Sequence, residues 1–372
     1  MVYAHKVRVC ECVEKQGGNA EIIRPRMEYG GGFYFIKFIK REDFFMKLFK
    51  RILALALVAA LSLAFVACNT TTEKDKYVVG ICQLVKHPAL DAATEGFRQA
   101  LIDILGEDKV EFKVQNAGDS TDMCATIVGT FVTQKVDLIM ANATPALQAA
   151  ANATLDIPIL GTSVTEYGVA LAIKDFAGLV GGNISGTSDL APLDQQAAMF
   201  TELLPEAKTI GLLYCSSEAN SAYQVQKVRE YLENAGLTCK EYTFSDNNDV
   251  TTIANKAASE CDALYIPTDN KAASCAETIY GAMTTKKPII AGEEGICSGC
   301  GIATLSISYY DLGYATGEMA AKILKGEEKI EEMPIGYVSD FAKKYNKDIC
   351  EDLGIDTAAL EAKGYVAIET AE

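Results

Sequence analysis

From Tyr77 onward the chain alternates short apolar runs with longer amphipathic ones, and it does so twice over. Tyr77–Ile81, Val110–Asn116, Leu138–Ala141, Ile157–Gly161 and Gly168–Ala172 have the apolar continuity of strands covered on both faces. Between them, Ala89–Leu105, Ser120–Thr133 and Pro145–Thr154 carry the amphipathic spacing of helices. The scheme then repeats. Strands are expected at Thr209–Cys215, Thr238–Phe244, Ala263–Ile266, Ile289–Ala291 and Ala303–Ser306. Helices are expected at Leu193–Leu204, Ser221–Ala235, Asp249–Glu260, Ala272–Thr285 and Tyr310–Leu324. Short buried strands that alternate with longer helices make βαβ units and parallel sheets.

The two runs are separated near 182–192 by a stretch rich in Gly, Ser and Pro, which reads as a connection between lobes. The expected fold is therefore α/β: two doubly wound parallel-sheet lobes joined by a hinge. Open α/β sheets present their ligand loops at the carboxyl ends of the strands, and two lobes facing each other enclose a cleft. A hinged binding protein fits this pattern. A two-domain α/β enzyme would alternate in the same way, so the loops must decide.

Charge narrows the partners. Of 34 basic and 50 acidic residues, 11 and 6 lie in 1–67, which leaves 23 and 44 in 68–372, a net charge of -21. A body this acidic repels phosphate backbones and excludes nucleic acid as a partner. The basic front has its own logic. Lys47, Lys50 and Arg51 precede an apolar stretch from Ile52 to Val66, broken only by Ser62. That stretch is short for a membrane span and the right size for the core of a signal peptide. It ends in Phe65-Val66-Ala67-Cys68, which resembles a lipobox and implies diacylglycerol on the Cys68 sulfur. Residues 46–67 are then the signal peptide and 68–76 a polar tether. Residues 1–45 precede a complete signal peptide with its own Met46, and they read as an extension outside the native protein.

Twelve cysteines are present. Cys10 and Cys12 lie in the extension and Cys68 is the lipid site. The other nine are scattered, several within apolar runs (Cys82, Cys215), and read as small buried hydrophobes. Cys297-Ser298-Gly299-Cys300 is a C-x-x-C with no second pair to complete a zinc site. Its Gly-flanked context reads as a turn bearing bystander thiols, with a reversible disulfide as the alternative. There is no G-x-x-x-x-G-K-[ST] and no G-x-G-x-x-G after a strand, so no nucleotide cofactor and no metal is expected.

Polar clusters sit where strands give way to helices. After the first strand comes Gln83 to Ala92, after the third Asn142-Ala143-Thr144-Pro145, after the fourth Gly161 to Thr165. In the second half come Ser216-Ser217-Glu218-Ala219-Asn220-Ser221 and Pro267-Thr268-Asp269-Asn270. With these loops the chain resembles the ABC-transporter substrate-binding lipoproteins that include tryptophan- and tyrosine-binding members. VGICQLVKHPALDAATEGF, SSEANS, PTDN and SISYYDLGYATGEMAAKILKG carry the resemblance, which runs from about Tyr77 to about Ile355. Asn142, Glu166-Tyr167 and Val180 depart from the family pattern, which has Ile, Asp-Pro and Pro there. The resemblance implies a type I periplasmic-binding-protein fold with three crossings. Lobe one would be 77–187 plus 305–328, lobe two 188–304 plus 329–372.

Site candidates follow from the loops. Thr144 and Thr165 end strands of lobe one, where hydroxyls and helix N-terminal amides suit a ligand carboxylate; Thr144 equally suits an N-cap before Pro145. Asp269 with Asn270 could meet a ligand ammonium, or cap the helix from Ala272. Glu293 and Glu294 are rival ammonium partners. Glu218 and Asn220 contact the ligand or close the cleft, and Gln83 lies just after the first strand. His87, the sole histidine beyond the signal segment, and Tyr309 read as structural. No nucleophile–base–acid set surrounds His87, so no enzyme is expected. The implied protein is a monomeric, lipid-anchored capture subunit on the outer face of the membrane. It would take a small solute, an aromatic or apolar amino acid, by cleft closure and deliver it to separate permease and ATPase subunits. A sensor feeding a membrane receptor is the rival reading.

Overall fold

The computed structural model describes residues 75–246 and 248–368, together with three short strands near the N-terminus. The chain divides into two units, Met1–Thr72 and Glu73–Glu372. In the first, Cys10–Cys12, Arg24–Tyr29 and Gly32–Tyr34 pair antiparallel. The signal segment 46–67 and the lipid site Cys68 lie outside the described residues.

The second unit holds two sheets. Lobe one is built on β1 (Tyr77–Gln83), β2 (Val110–Asn116), β3 (Leu138–Asn142), β4 (Ile159–Val164) and β5 (Ile184–Ser188). A short β11 (Gly336–Tyr337) completes it, in the parallel order β11-β5-β4-β3-β1-β2. Helices α1 (Pro88–Leu105), α2 (Thr121–Gln134), α3 (Thr144–Ala153) and α11 (Tyr309–Leu324) cover both faces. Burial on both sides explains the continuous apolar strands. Val79 and Ile81 of β1 pack on Phe97, Leu101 and Ala320, while Cys82 on the opposite face joins Ile127 and Phe131.

Lobe two uses β6 (Thr209–Cys215), β7 (Thr238–Phe244), β8 (Ala263–Ile266), β9 (Ile289–Ala291) and β10 (Ala303–Ser306), all parallel. β12 (Ala342–Tyr345) adds antiparallel to β10, and β13 (Val366–Ala367) finishes that edge. Its helices are α5 (Leu193–Leu203), α6 (Ala219–Asn234), α7 (Val250–Glu260), α8 (Asn270–Ser274), α9 (Ala276–Ala282) and α10 (Glu294–Cys300). Two short ones, α12 (Lys347–Asp352) and α13 (Thr357–Ala362), follow β12.

The chain passes between the sheets at 189–192, 307–308 and 338–341. The last crossing therefore lies past the expected boundary at 328. Gly336–Tyr337 pairs with β5, and the Ser185 hydroxyl donates to the Met333 carbonyl at 3.0 Å, which keeps 329–337 in lobe one.

Four local expectations change. Gly168–Ala172 is not a strand: Tyr167–Ala170 forms a helical turn, α4, capped by Glu166. The fifth strand of lobe one is instead Ile184–Ser188, inside the stretch read as a connection. After Ile184 it holds only small residues, because the buried Tyr167 ring lies against it and donates to the Thr187 carbonyl at 3.0 Å. A Cβ on Gly186 would stand 2.4 Å from that hydroxyl. The single helix expected over Ala272–Thr285 breaks at Cys275 into α8 and α9. Cys297 and Cys300 lie on helix α10, not in a turn, and both are buried.

Candidate ligand-binding site

The carboxyl ends of both sheets converge on a small cavity of about 10 Å³ between the lobes. Lobe one presents His87 and Leu90 at the start of α1, and Ser163 and Thr165 at the end of β4. The first crossing presents Asp189, and the start of α11 presents Tyr309. Lobe two presents Asn220 of α6, Thr268 to Asn270 after β8, Ala273, and Glu293 after β9. Two non-glycine residues at these strand ends hold positive φ: Ser163 at 53° and Ala143 at 94°. Ser163 lies where the pairing of β4 with β5 shifts register. Backbone strain of this kind costs about 1–3 kcal/mol and concentrates at functional sites.

On the lobe-two side the carboxylates are largely spent on backbone amides. Asp269 Oδ1 accepts from Ala272 N at 2.8 Å and Oδ2 from Cys215 N at 2.7 Å, which ties the start of α8 to the end of β6. Glu293 accepts from Gly295 N at 2.7 Å and Ile296 N at 2.5 Å, capping α10. Glu218 accepts from Lys271 N at 2.9 Å, Asn270 N at 3.1 Å and Asn270 Nδ2 at 2.7 Å. Burial pushes Glu218 up to about 8, with the Asp269 charge adding to it, and Glu293 up to about 7. Burial also raises Asp269.

Asp189 differs. Its Oδ2 accepts from the Tyr309 hydroxyl at 3.1 Å, while its Oδ1 finds no partner within the protein. Burial pushes this carboxyl up to about 6, with the Thr165 and Tyr309 hydroxyls acting against the rise. Three more buried polar atoms of the cavity lining lack a protein partner: His87 Nδ1, Ser163 Oγ and Asn220 Oδ1. A buried polar atom left unpaired costs about 1–3 kcal/mol, so native proteins keep few. Four around one cavity mark a place prepared for a polar ligand.

The lobes touch across this site. His87 Nε2 lies 3.4 Å from Asn270 Oδ1, and Lys271 of lobe two pairs with Asp119 of lobe one.

Of the residues expected from sequence, Thr165, Asn220, Asp269, Asn270 and Glu293 line the cavity; Gln83, Thr144 and Glu218 do not. Gln83 serves lobe one internally: its Nε2 donates to Asp91 at 2.7 Å and its Oε1 accepts from Thr94 at 2.7 Å. Asn142, the departure at the end of β3, joins that network by donating to the Leu90 carbonyl at 2.8 Å and to Thr94. Thr144 is buried as the first residue of α3, and Glu218 sits behind Asn270. Glu294, with Glu293 the rival of Asp269, pairs with Lys344 at 2.6 Å. The sequence reading missed Ser163, Asp189 and Thr268, favoured a structural role for His87, and weighed Tyr309 as a pocket wall but favoured core packing. The signal for Asp189 was available: it is the one charged residue in the uncharged stretch 181–192.

The model of the ABC transporter substrate binding protein family matches residues 78–361. The chain belongs to this family. As a substrate-binding protein it is extracytoplasmic and binds solutes rather than transforming them. It is 35% identical over 299 residues to a tyrosine-binding protein of Clostridioides difficile (strain R20291), covering 80% of this chain and 86% of that one. Among solved structures, the ABC domain in complex with L-Trp from Streptococcus pneumonia is 34% identical with a TM-score of 0.74. The ligand-free, open structure of a substrate-binding protein with adhesive properties from Clostridium difficile is 38% identical with a TM-score of 0.61. Each covers 79% of this chain and the whole of its own. The substrate-binding protein thus has the type I periplasmic-binding-protein fold.

Proposed function

We propose that this substrate-binding protein is the lipid-anchored capture subunit of an ABC importer and takes an amino acid with an aromatic side chain by cleft closure. The observation that carries the reading is the group of four unpartnered buried polar atoms, drawn from both lobes and a crossing, around one interlobe cavity. Relatives named for tyrosine binding and solved with L-Trp support the ligand class. Closure is supported by the cross-lobe contacts of His87 with Asn270 and Lys271 with Asp119. The higher structural score with the L-Trp complex points the same way, since the open, ligand-free relative scores lower despite its higher identity. A ligand that binds the closed arrangement better than the open one shifts the population towards closure. Lipid anchoring rests on Cys68 at the end of its signal-like segment.

The test is a thermal-shift panel of the twenty amino acids on protein stripped of co-purified ligand by unfolding and refolding. L-Tyrosine or L-tryptophan should raise the midpoint most, because a ligand of the native state stabilises it by mass action. A panel with no responding amino acid rejects the reading. Anchoring has its own check: Cys68→Ser should move the protein from the membrane fraction to the medium or periplasm, and unchanged fractionation rejects it.

A further inference from the structure

The thiols of the two lobes do not all behave as buried hydrophobes. Five of them turn their sulfur towards an oxygen. Cys215 Sγ meets Ser217 Oγ at 3.1 Å, and Cys261 donates to the Tyr242 hydroxyl at 3.5 Å. Cys275, Cys300 and Cys350 donate to the carbonyls of Lys271, Ile296 and Ile302. Cys82 and Cys124 instead meet each other, thiol against thiol. They come from distant parts of lobe one, Cys82 from the carboxyl end of β1 and Cys124 from the first turn of α2. Both are free thiols, wholly buried in the apolar cluster that holds Ile127 and Phe131. The two are not equivalent. The start of a helix favours a thiolate, and α2 runs for fourteen residues behind Cys124. The Cys82 thiol donates to Cys124 and holds it below the ordinary thiol value against the pull of burial, while the same bond and burial push Cys82 well above it. The way in lies at the start of α2. Gly118 and Asp119, both at positive φ, make the turn before it, and its one side-chain cap is the bond from Met123 N to Ser120 Oγ at 3.2 Å.

We infer that Cys82 and Cys124 are a modification site, a dithiol that closes into a reversible disulfide and staples the start of α2 to the end of β1. The oxidant is a disulfide, the class of oxidant that extracytoplasmic proteins meet. When the first turn of α2 lifts, the Cys124 thiolate attacks one sulfur of that disulfide, forming a mixed disulfide and expelling a thiolate. The expelled thiolate takes the Cys82 proton. Cys82 then attacks the Cys124 sulfur and expels the second thiol. Two protein thiols are oxidised, and the incoming disulfide is reduced to two thiols. The bond closes a long loop, which includes all of α1 and β2, and so removes conformations from the unfolded chain. It also fixes the turn that carries Asp119, the lobe-one partner of Lys271. The inference does not depend on which solute the cleft takes.

The experiment is oxidation of the folded full chain with oxidised glutathione, followed by alkylation of the remaining thiols under denaturing conditions and peptide mass spectrometry. The peptide carrying Cys82 should be joined to the one carrying Cys124, with Cys297 still alkylated as a sign that the fold stayed closed, and dithiothreitol should release the pair. The oxidised protein should melt several degrees above the reduced one. Cys82→Ser should trap glutathione on Cys124, at least tenfold faster than Cys124→Ser traps it on Cys82. Full alkylation of both thiols after glutathione treatment that oxidises the same cysteines in the unfolded chain overturns the site, and so does a crosslink that lowers the thermal midpoint. Trapping at equal rates in the two variants overturns the assignment of Cys124 as the attacking thiol. The crosslink and the midpoint are read on the unmodified sequence, so the test stands even where a serine variant fails to fold.

Discussion

Asp189, Glu218 and Glu293 are buried carboxyls that the protein makes hard to ionise, and their protons have consequences for both stability and binding. Their ordinary values of 3.8 and 4.5 rise to about 6, about 8 and about 7. Between the unfolded and folded values the folded state holds protons that the unfolded chain has released, so stability falls as pH rises through that window. The ligand-free protein should melt several degrees higher at pH 5 than at pH 8 in differential scanning calorimetry, the reverse of the behaviour of most salt-bridged carboxylates. Ligand affinity should run the other way. The ammonium of the proposed amino-acid ligand would gain from an ionised Asp189 in the cavity wall and lose from a charged His87, and burial lowers the His87 pKa. Affinity for the amine should therefore fall as pH drops below about 6, which isothermal titration at pH 5 and pH 7.5 would show. Residue-level roles were the least legible in the sequence. Asp269 of the P-T-D-N loop lines the cavity, and its neighbours in space, Cys215 N and Ala272 N, each donate to one of its oxygens. Nothing in the local sequence announces that β6 ends beside it.

Among the elements, α1 and α11 make the closest approach. A Cβ on Gly313 would stand 2.0 Å from the Ala93 carbonyl oxygen, and one on Gly96 2.0 Å from that of Tyr310. Backbone against backbone leaves no side chain to move aside. Gly313→Ala should cost about 1–3 kcal/mol, as overpacking does, and lower the denaturant midpoint accordingly. These glycines appear in sequence as breaks in helical spacing, yet both helices were legible to within a residue, because amphipathic periodicity survives one small residue. Strand β5 was not. Ile184-Ser185-Gly186-Thr187-Ser188 has the composition of a loop, and only the Tyr167 ring lying against it, itself preceding an expected strand, explains why small residues fill a buried strand. Signals that depend on apolar bulk fail where a neighbour supplies the bulk.

At the scale of the whole molecule, the lobes meet at His87 and Asn270, at Asp119 and Lys271, and where α4 lies against α6 and α1 against α10. Lys271 and Asp119 are the ion pair across the mouth, with 15% and 20% of their side chains exposed, so solvent screens them only partly. Lys271→Ala should enlarge the radius of gyration of the ligand-free protein in small-angle scattering and weaken ligand binding several-fold, since binding must then also close the lobes. The two-lobe architecture was readable because the alternation occurs twice. The position of the last crossing was not, because two-residue strands such as Gly336–Tyr337 leave no periodic trace.

The order in which the chain visits the lobes also sets when either can finish. Lobe one takes its outermost strand from Gly336–Tyr337, and lobe two its last two from Ala342–Tyr345 and Val366–Ala367. A chain emerging from its N-terminus therefore cannot complete either sheet until roughly its last tenth is available, and then it completes both nearly together. For most of its synthesis it has no finished lobe to hold it compact. For an extracytoplasmic protein, the pieces that lock the structure are the last to be made.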